Sequence, residues 1–210
     1  MFRGAGYPVN LPWPRYSPAY DEKLNHTYDR DVAKAKALVE AASKGGASPT
    51  IPLEYDAGNG NLEATAQIVQ ANLQDAGITV KLEPVEHNQF IKELIGAKFK
   101  GLWIAIHSYA QWTPSTLAVS AYPFNAQHNA SHFSSKAYAA DADAAWNLPD
   151  GTGAEAAASY RRISKDFLDN DFLIELSVIY TQLAHSPRLH DVSWSKRQEI
   201  HLDQAYLSKG

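Results

Sequence analysis

The chain has no cysteine, so disulfides, thiolate zinc sites and cysteine nucleophiles are all excluded. It has no apolar run of about eighteen residues, the length a helix needs to cross a bilayer, so no membrane insertion is expected. It also lacks an excess of positive charge. The net charge of −4 argues against a nucleic-acid surface, which needs a lysine and arginine stripe to neutralise phosphates. No G-x-S-x-G elbow is present. The opening MFRGAGYPVNLPWPRY has no apolar h-region and does not read as a signal peptide. What remains is ordinary for a globular domain: 210 residues, 45% hydrophobic and 20% charged, long enough for a full core.

The clearest local signals lie between Thr50 and His107. Ile51, Leu53 and Tyr55 alternate as in a strand across Thr50–Asp56. After the turn Gly58-Asn59-Gly60, the residues Leu62, Ala66, Val69, Leu73 and Ala76 recur at helical spacing, and Gly77 supplies the left-handed residue that ends a helix. Ile78, Val80 and Leu82 alternate with Thr79, Lys81 and Glu83, which predicts a second strand and hence a βαβ unit. A helix over about His87–Ile95 follows. Gly101–His107, GLWIAIH, is apolar enough to predict a strand buried on both faces.

Elsewhere the prolines at 8, 12, 14 and 18 predict an extended segment laid over a core across residues 1–27. Asp29–Lys44 reads as a helix with Val32, Ala35, Leu38, Val39 and Ala42 on one face, stopped by Gly45 and Gly46. Thr113 and Pro114 predict a cap and first turn for a short helix to Ala121. Ser134 is the expected cap of a helix running to Trp146, with a turn at Asn147–Gly153. Ala154–Leu168 is the last long helix, and Phe172–His185 is expected to be a long strand.

The order of these segments resembles the extracytoplasmic solute-binding proteins of the peptide and nickel transport class, family 5. Leu73 to Val80 is similar to the family's "Leu-x-x-Ala/Ile-Gly-Ile-x-Val", and Phe90 to the aromatic of the helix that follows it. Tyr28-Asp29 and Ala33–Val39 resemble its "Tyr-Asp-Pro-Glu-Lys-Ala-Lys-x-Leu-Leu" helix, with Arg30 in place of proline. Ala97–Lys100 sits where the family has Gly-x-Tyr/Phe-Asp. Asn129–Tyr138 resembles its "Asn-x-x-x-Tyr-Ser-Asn-Pro". Val178–Tyr180 and Ser186–Leu189 are similar to its closing strand and exit.

This resemblance implies an α/β fold, a mixed sheet flanked by helices, forming one lobe of a type II (class C) periplasmic binding protein. Residues 1–192 would be the C-terminal, ligand-binding lobe, incomplete at its N-terminal side. Residues 193–210 would be a tail returning to an absent lobe. The family's members are far longer, and the missing lobe and a signal peptide are expected upstream of Met1. The implied function is capture of a small solute between two lobes in the periplasm and delivery to an ABC permease, with no cofactor and no enzymatic activity. The lobe face left open favours self-association.

The resemblance also places the ligand wall on His107, Tyr109, Ala110, Gln111, Trp112, Tyr122, Phe124 and Asn125. Aligning the family's Asp-Pro on Thr113-Pro114 puts Ala110 where peptide binders pair an aspartate with the ligand ammonium, and His107 in the place of their tryptophan. No carboxylate occurs between Glu93 and Asp141. A buried ammonium without a partner is costly. The expected solute is therefore uncharged or anionic with a flat apolar surface, not a zwitterionic dipeptide.

Other chemistries have weaker signals. His128 and His132 are four apart but lie in AQHNASH, which is not helical, so loop histidines are expected and no metal site. Gly58-Asn59-Gly60 lacks a following lysine and reads as a plain turn, not a phosphate seat. Asp141 and Asp143 cannot share a helix face and read as solvated charge. The rival readings are a small hydrolase-like α/β enzyme with its base at His107, for which Ser108 would face the opposite way, and a stand-alone interaction domain.

Overall fold

A computed structural model describes residues 4–44, 50–108, 113–195 and 199–209. The predicted stop at Gly45 and Gly46 lies outside the described residues, as do Tyr109, Ala110, Gln111 and Trp112.

Two hydrophobic cores are built from different stretches of chain. The first belongs to a parallel sheet. β2 (Thr50–Asp56), α2 (Gly60–Asp75), β3 (Thr79–Val85), α3 (His87–Gly96) and β4 (Leu102–Ile104) follow one another, and the sheet order is β3-β2-β4. β2 and β3 pair in register over their whole length, from Thr50 opposite Thr79 to Asp56 opposite Val85. Leu53, Tyr55 and Val80 from the sheet bury against Leu62 and Ala66 of α2. Asn59 caps α2 by accepting from the Asn61 and Leu62 amides, and Gly77 takes the left-handed conformation at its end, φ 92°.

β4 departs from expectation. It pairs over three residues only and lies at the sheet edge, with Ile106 beyond it 50% exposed. Pro52 explains where the ladder starts. It has no N–H to donate to β4, and pairing begins one residue later, at Leu53 opposite Leu102. Gly101 lies so close that a Cβ there would stand 2.7 Å from the Pro52 carbonyl oxygen. Glu54, buried within β2, accepts the Lys100 amide at 2.7 Å and so holds the approach to β4.

The second core is helical: α4 (Ser115–Ser120), α5 (Lys136–Trp146) and α6 (Ala154–Asn170). Leu117, Phe124, Tyr138, Tyr160, Ile163 and Phe167 fill it. The N-terminal segment completes it from within, where its prolines predict an extended segment laid over it. β1 (Gly6–Pro8) pairs antiparallel with β5 (Ser177–Ile179), and beyond it Leu11 and Trp13 are buried. The Trp13 indole N–H donates to Ser164 Oγ at 2.8 Å. Buried Asn25 accepts from the Asn10 and Leu11 amides and fixes the turn behind them. Caps fall one residue from expectation: Ser135, not Ser134, accepts from the Tyr138 amide, and Pro114 is the cap position of α4, with no side-chain cap bond.

α1 (Val32–Ser43) is capped by Asp31 and has no buried residue, so its predicted apolar stripe covers little. The long strand expected over Phe172–His185 is only the three residues of β5, because β1 is its sole partner among the described residues. Toward the C-terminus β6 (Leu189–His190) pairs with β9 (Tyr206–Leu207), and β7 (Ser193–Trp194) with β8 (Ile200–His201). The tail therefore folds back onto residues 189–190.

Candidate functional site

Parallel strands deliver their C-terminal ends to one edge, where loops and helix N-termini converge and where ligands of open α/β sheets bind. Here that edge carries Asp56 from β2, Glu86 and His87 at the start of α3, and His107 beyond β4.

Asp56 is held from two sides. Its Oδ2 lies 2.6 Å from His87 Nδ1, and its Oδ1 accepts the Gly58 amide at 2.9 Å. The hydrogen bond from His87 holds the Asp56 carboxyl below its ordinary value, and the same bond raises His87 above its own. Glu86 caps α3 by accepting from the Gln89 amide at 3.1 Å, and backbone hydrogen bonds from Asn88 and Gln89 lower its pKa. The turn Gly58-Asn59-Gly60, expected as a plain turn, supplies the cap of α2 through Asn59.

Among the predicted wall residues, His107 is tied to a carboxylate far away in the chain. Its Nε2 lies 3.1 Å from Glu175 Oε1, and its ring meets Phe124 edge-on with centroids 4.8 Å apart. The side chain is 25% exposed, yet Nδ1 is shielded and has no hydrogen-bond partner among the described residues. Among the described residues the hydrogen-bond partner of the ring is this carboxylate and not a hydroxyl.

The other predicted residues divide. Tyr122 is exposed and free to line a wall. Phe124 is 1% exposed and belongs to the helical core, so it buttresses His107 from behind and cannot touch a solute directly. Asn125 shapes the turn: its Oδ1 accepts from the Gln127 and His128 amides, and its Nδ2 donates to the Val119 carbonyl. Burial raises the Tyr138 phenol, which donates to the Phe124 carbonyl and fixes that turn from below.

His128 and His132 lie on an exposed loop knotted by buried Asn129, which donates to the Asn125 and Phe133 carbonyls and accepts from the Ser131 and Phe133 amides. No group of three or more metal-ligating side chains converges among the described residues. Asp141 is not simply solvated, since Arg162 donates to it at 2.7 Å from the neighbouring helix.

Sequence order hid Asp56, His87 and Glu175 as members of this edge. No carboxylate lies near His107 in the chain, but the fold brings Glu175 to it across 68 residues. The alternating carboxylate and histidine of Asp56 and His87 had no spacing signal either.

Residues 1–132 match the family described as bacterial extracellular solute-binding proteins, family 5 Middle, and the chain belongs to that family. No curated protein matches it in sequence. Among solved structures, HbpA2 from Haemophilus parasuis shares the fold over 99% of this chain and 41% of its own, with 20% identity and a TM-score of 0.80. The ABC transporter substrate binding protein CtaP from Listeria monocytogenes aligns over 97% of this chain and 42% of its own, at 20% identity and TM-score 0.68. AgaA of A. tumefaciens, solved in complex with agropinic acid, aligns over 85% and 36%, at 19% identity and TM-score 0.71. The chain thus spans about two fifths of the length of these structures. The expected α/β fold, a sheet flanked by helices, is found, and its three strands β3-β2-β4 are all parallel.

Proposed function

We propose that this chain is one wall of a two-lobe trap that captures a small organic solute on the extracytoplasmic, periplasmic side of the membrane and delivers it to an ABC permease. The observation that carries this reading is the family match over residues 1–132, together with the superposition of nearly the whole chain on 42% of the ABC transporter substrate binding protein CtaP, which leaves the greater part of that fold outside the compared segment. Residues 1–192 are then the C-terminal lobe, and 193–210 the tail that meets the other lobe. The cleft wall is the C-terminal edge of the parallel sheet, with His107, Tyr122 and the connection 109–112. Capture is a population shift: the solute favours the closed arrangement by touching both lobes at once. The chain performs no chemistry on the solute.

A single wall leaves much of the solute in water, whereas small-molecule sites bury most of their ligand. The chain alone is expected to bind weakly. Titration calorimetry against amino acids, short peptides, opines and sugars tests this. Sub-micromolar binding by the 210-residue chain would overturn the one-wall reading.

A further inference from the structure

We propose that Glu175 is a positioning residue that fixes the tautomer of His107, so that His107 offers an acceptor nitrogen to an N–H donor of the solute. The solute-facing half of this inference rests on the function proposed above; the tautomer half does not.

The chemistry follows from the two ring nitrogens. An ionised carboxylate only accepts hydrogen bonds, so the nitrogen facing Glu175 Oε1 at 3.1 Å, Nε2, carries the hydrogen. In a neutral imidazole the other nitrogen is then a bare lone pair. That nitrogen is Nδ1, which is shielded from solvent and has no hydrogen-bond partner among the described residues. Phe124 packs edge-on against the ring and limits its rotation, which keeps the two nitrogens from exchanging places. A shielded acceptor with no donor is unfavourable until one arrives. The group that relieves it is an N–H, of an ammonium, amide or similar nitrogen. A carboxylate, which has no hydrogen to give, meets both this lone pair and the Glu175 charge, so of the uncharged and anionic solutes expected from Ala110 the anionic one is disfavoured here. Because Nδ1 is covered, a donor reaches it only when that cover moves.

Glu175 has no spacing relation to His107 and lies between α6 and β5, so one carboxylate ties the chain beyond the helical core to the chain beyond β4. Its role is through His107 and not through contact with the solute.

The test is ¹⁵N spectroscopy of the histidine-labelled chain above about pH 8, where imidazole rings are ordinarily neutral. Long-range ¹H–¹⁵N correlations are expected to show His107 as a single Nε2–H tautomer. Glu175→Gln keeps the shape and removes the charge, and its amide can donate to Nε2. The Nδ1–H form of His107 is then expected to appear, with the tautomer ratio changing several-fold and the other histidines unmoved. Glu175→Ala serves as the second variant, with the same expected direction. A wild-type His107 already in the Nδ1–H form, or a ratio unchanged in both variants, overturns the positioning role.

Millimolar methylammonium and acetate then probe the polarity of the site. Methylammonium should move the His107 Nδ1 resonance and acetate should not. If neither moves it while the tautomer is as expected, the solute-facing half is overturned and the positioning half stands. A response to acetate alone overturns the assigned polarity.

Discussion

Trp13 donates its indole N–H to Ser164 Oγ at 2.8 Å, joining residues 151 apart in sequence inside the helical core. Both are completely buried. The N-terminal segment is therefore part of the core and not a covering laid over a finished one. Phe167 lies against the same indole, with ring centroids 5.9 Å apart.

Trp13→Ala should destabilise the chain by about 3–5 kcal/mol, the range for emptying a large aromatic site. Trp13→Phe keeps most of the volume and removes the donor to Ser164, so a loss of roughly 1–2 kcal/mol is expected. Urea unfolding of both variants checks the ordering; a Trp13→Phe variant as unstable as Trp13→Ala would contradict it.

Gly101→Ala tests the close approach of β4 to β2. The added Cβ would stand 2.7 Å from the Pro52 backbone oxygen, which has no side-chain freedom with which to yield. A cost of about 1–3 kcal/mol is expected from this overpacking. Amide exchange should show faster opening in β4 than in the β2–β3 pair. Equal protection in the variant and the parent would contradict the argument.

The Asp56–His87 pair carries a pH signature. His87 is raised above its ordinary 6.5 by its bond to Asp56, so its contribution is complete below that pH and is lost as pH rises through the folded value. Asp56 is lowered below its ordinary 3.8 by the same bond, so its contribution is complete above that pH and is lost as pH falls through the folded value. The pair therefore helps most between these two ordinary values. An NMR titration should place His87 above 6.5 and show it falling in Asp56→Asn. A His87 midpoint unaffected by Asp56→Asn would show that the contact is not formed in solution.

Exposed apolar residues gather in the last third of the chain, where Ile174 is 74% exposed and Leu183, Leu202 and Leu207 are exposed with it. Apolar surface of this kind favours association. Sedimentation velocity should show a mass that rises with protein concentration, and Ile174→Ser together with Leu207→Ser should reduce it. A strict monomer at the highest attainable concentration would count against this.

The βαβ unit was legible because each of its signals is local: alternation in β2 and β3, a helical stripe in α2, and a glycine at the helix end. The edge position of β4 was not. Its composition, GLWIAIH, describes how apolar a strand is, whereas centre or edge is decided by which other strands lie beside it. The segment 172–185 failed for the same reason, since an extended run becomes a ladder only where a partner is present, and β1 offers three residues. The cap of α5 was displaced by one residue because Ser134 and Ser135 are equivalent cap residues, whereas α4 starts after Pro114, which has no side chain able to cap. At the site, His107 was singled out through the family resemblance, which puts it in the place of a tryptophan after an apolar strand. Glu175 was invisible because its relation to His107 exists only after the helical core has assembled, and Phe124 read as a wall because an aromatic in a turn looks the same from sequence whether it faces in or out.

The dependence of Trp13 on Ser164 also has a consequence during synthesis. The sheet core is complete within a contiguous stretch ending at Ile104 and can close as soon as that stretch has left the ribosome. The helical core cannot. Leu11 and Trp13 emerge early, and with Ser164 151 residues downstream they wait roughly 10–30 s at ordinary elongation rates before their pocket exists. During that interval a tryptophan and its apolar neighbours stand in water on a tethered nascent chain, which is the kind of segment that holding chaperones recognise.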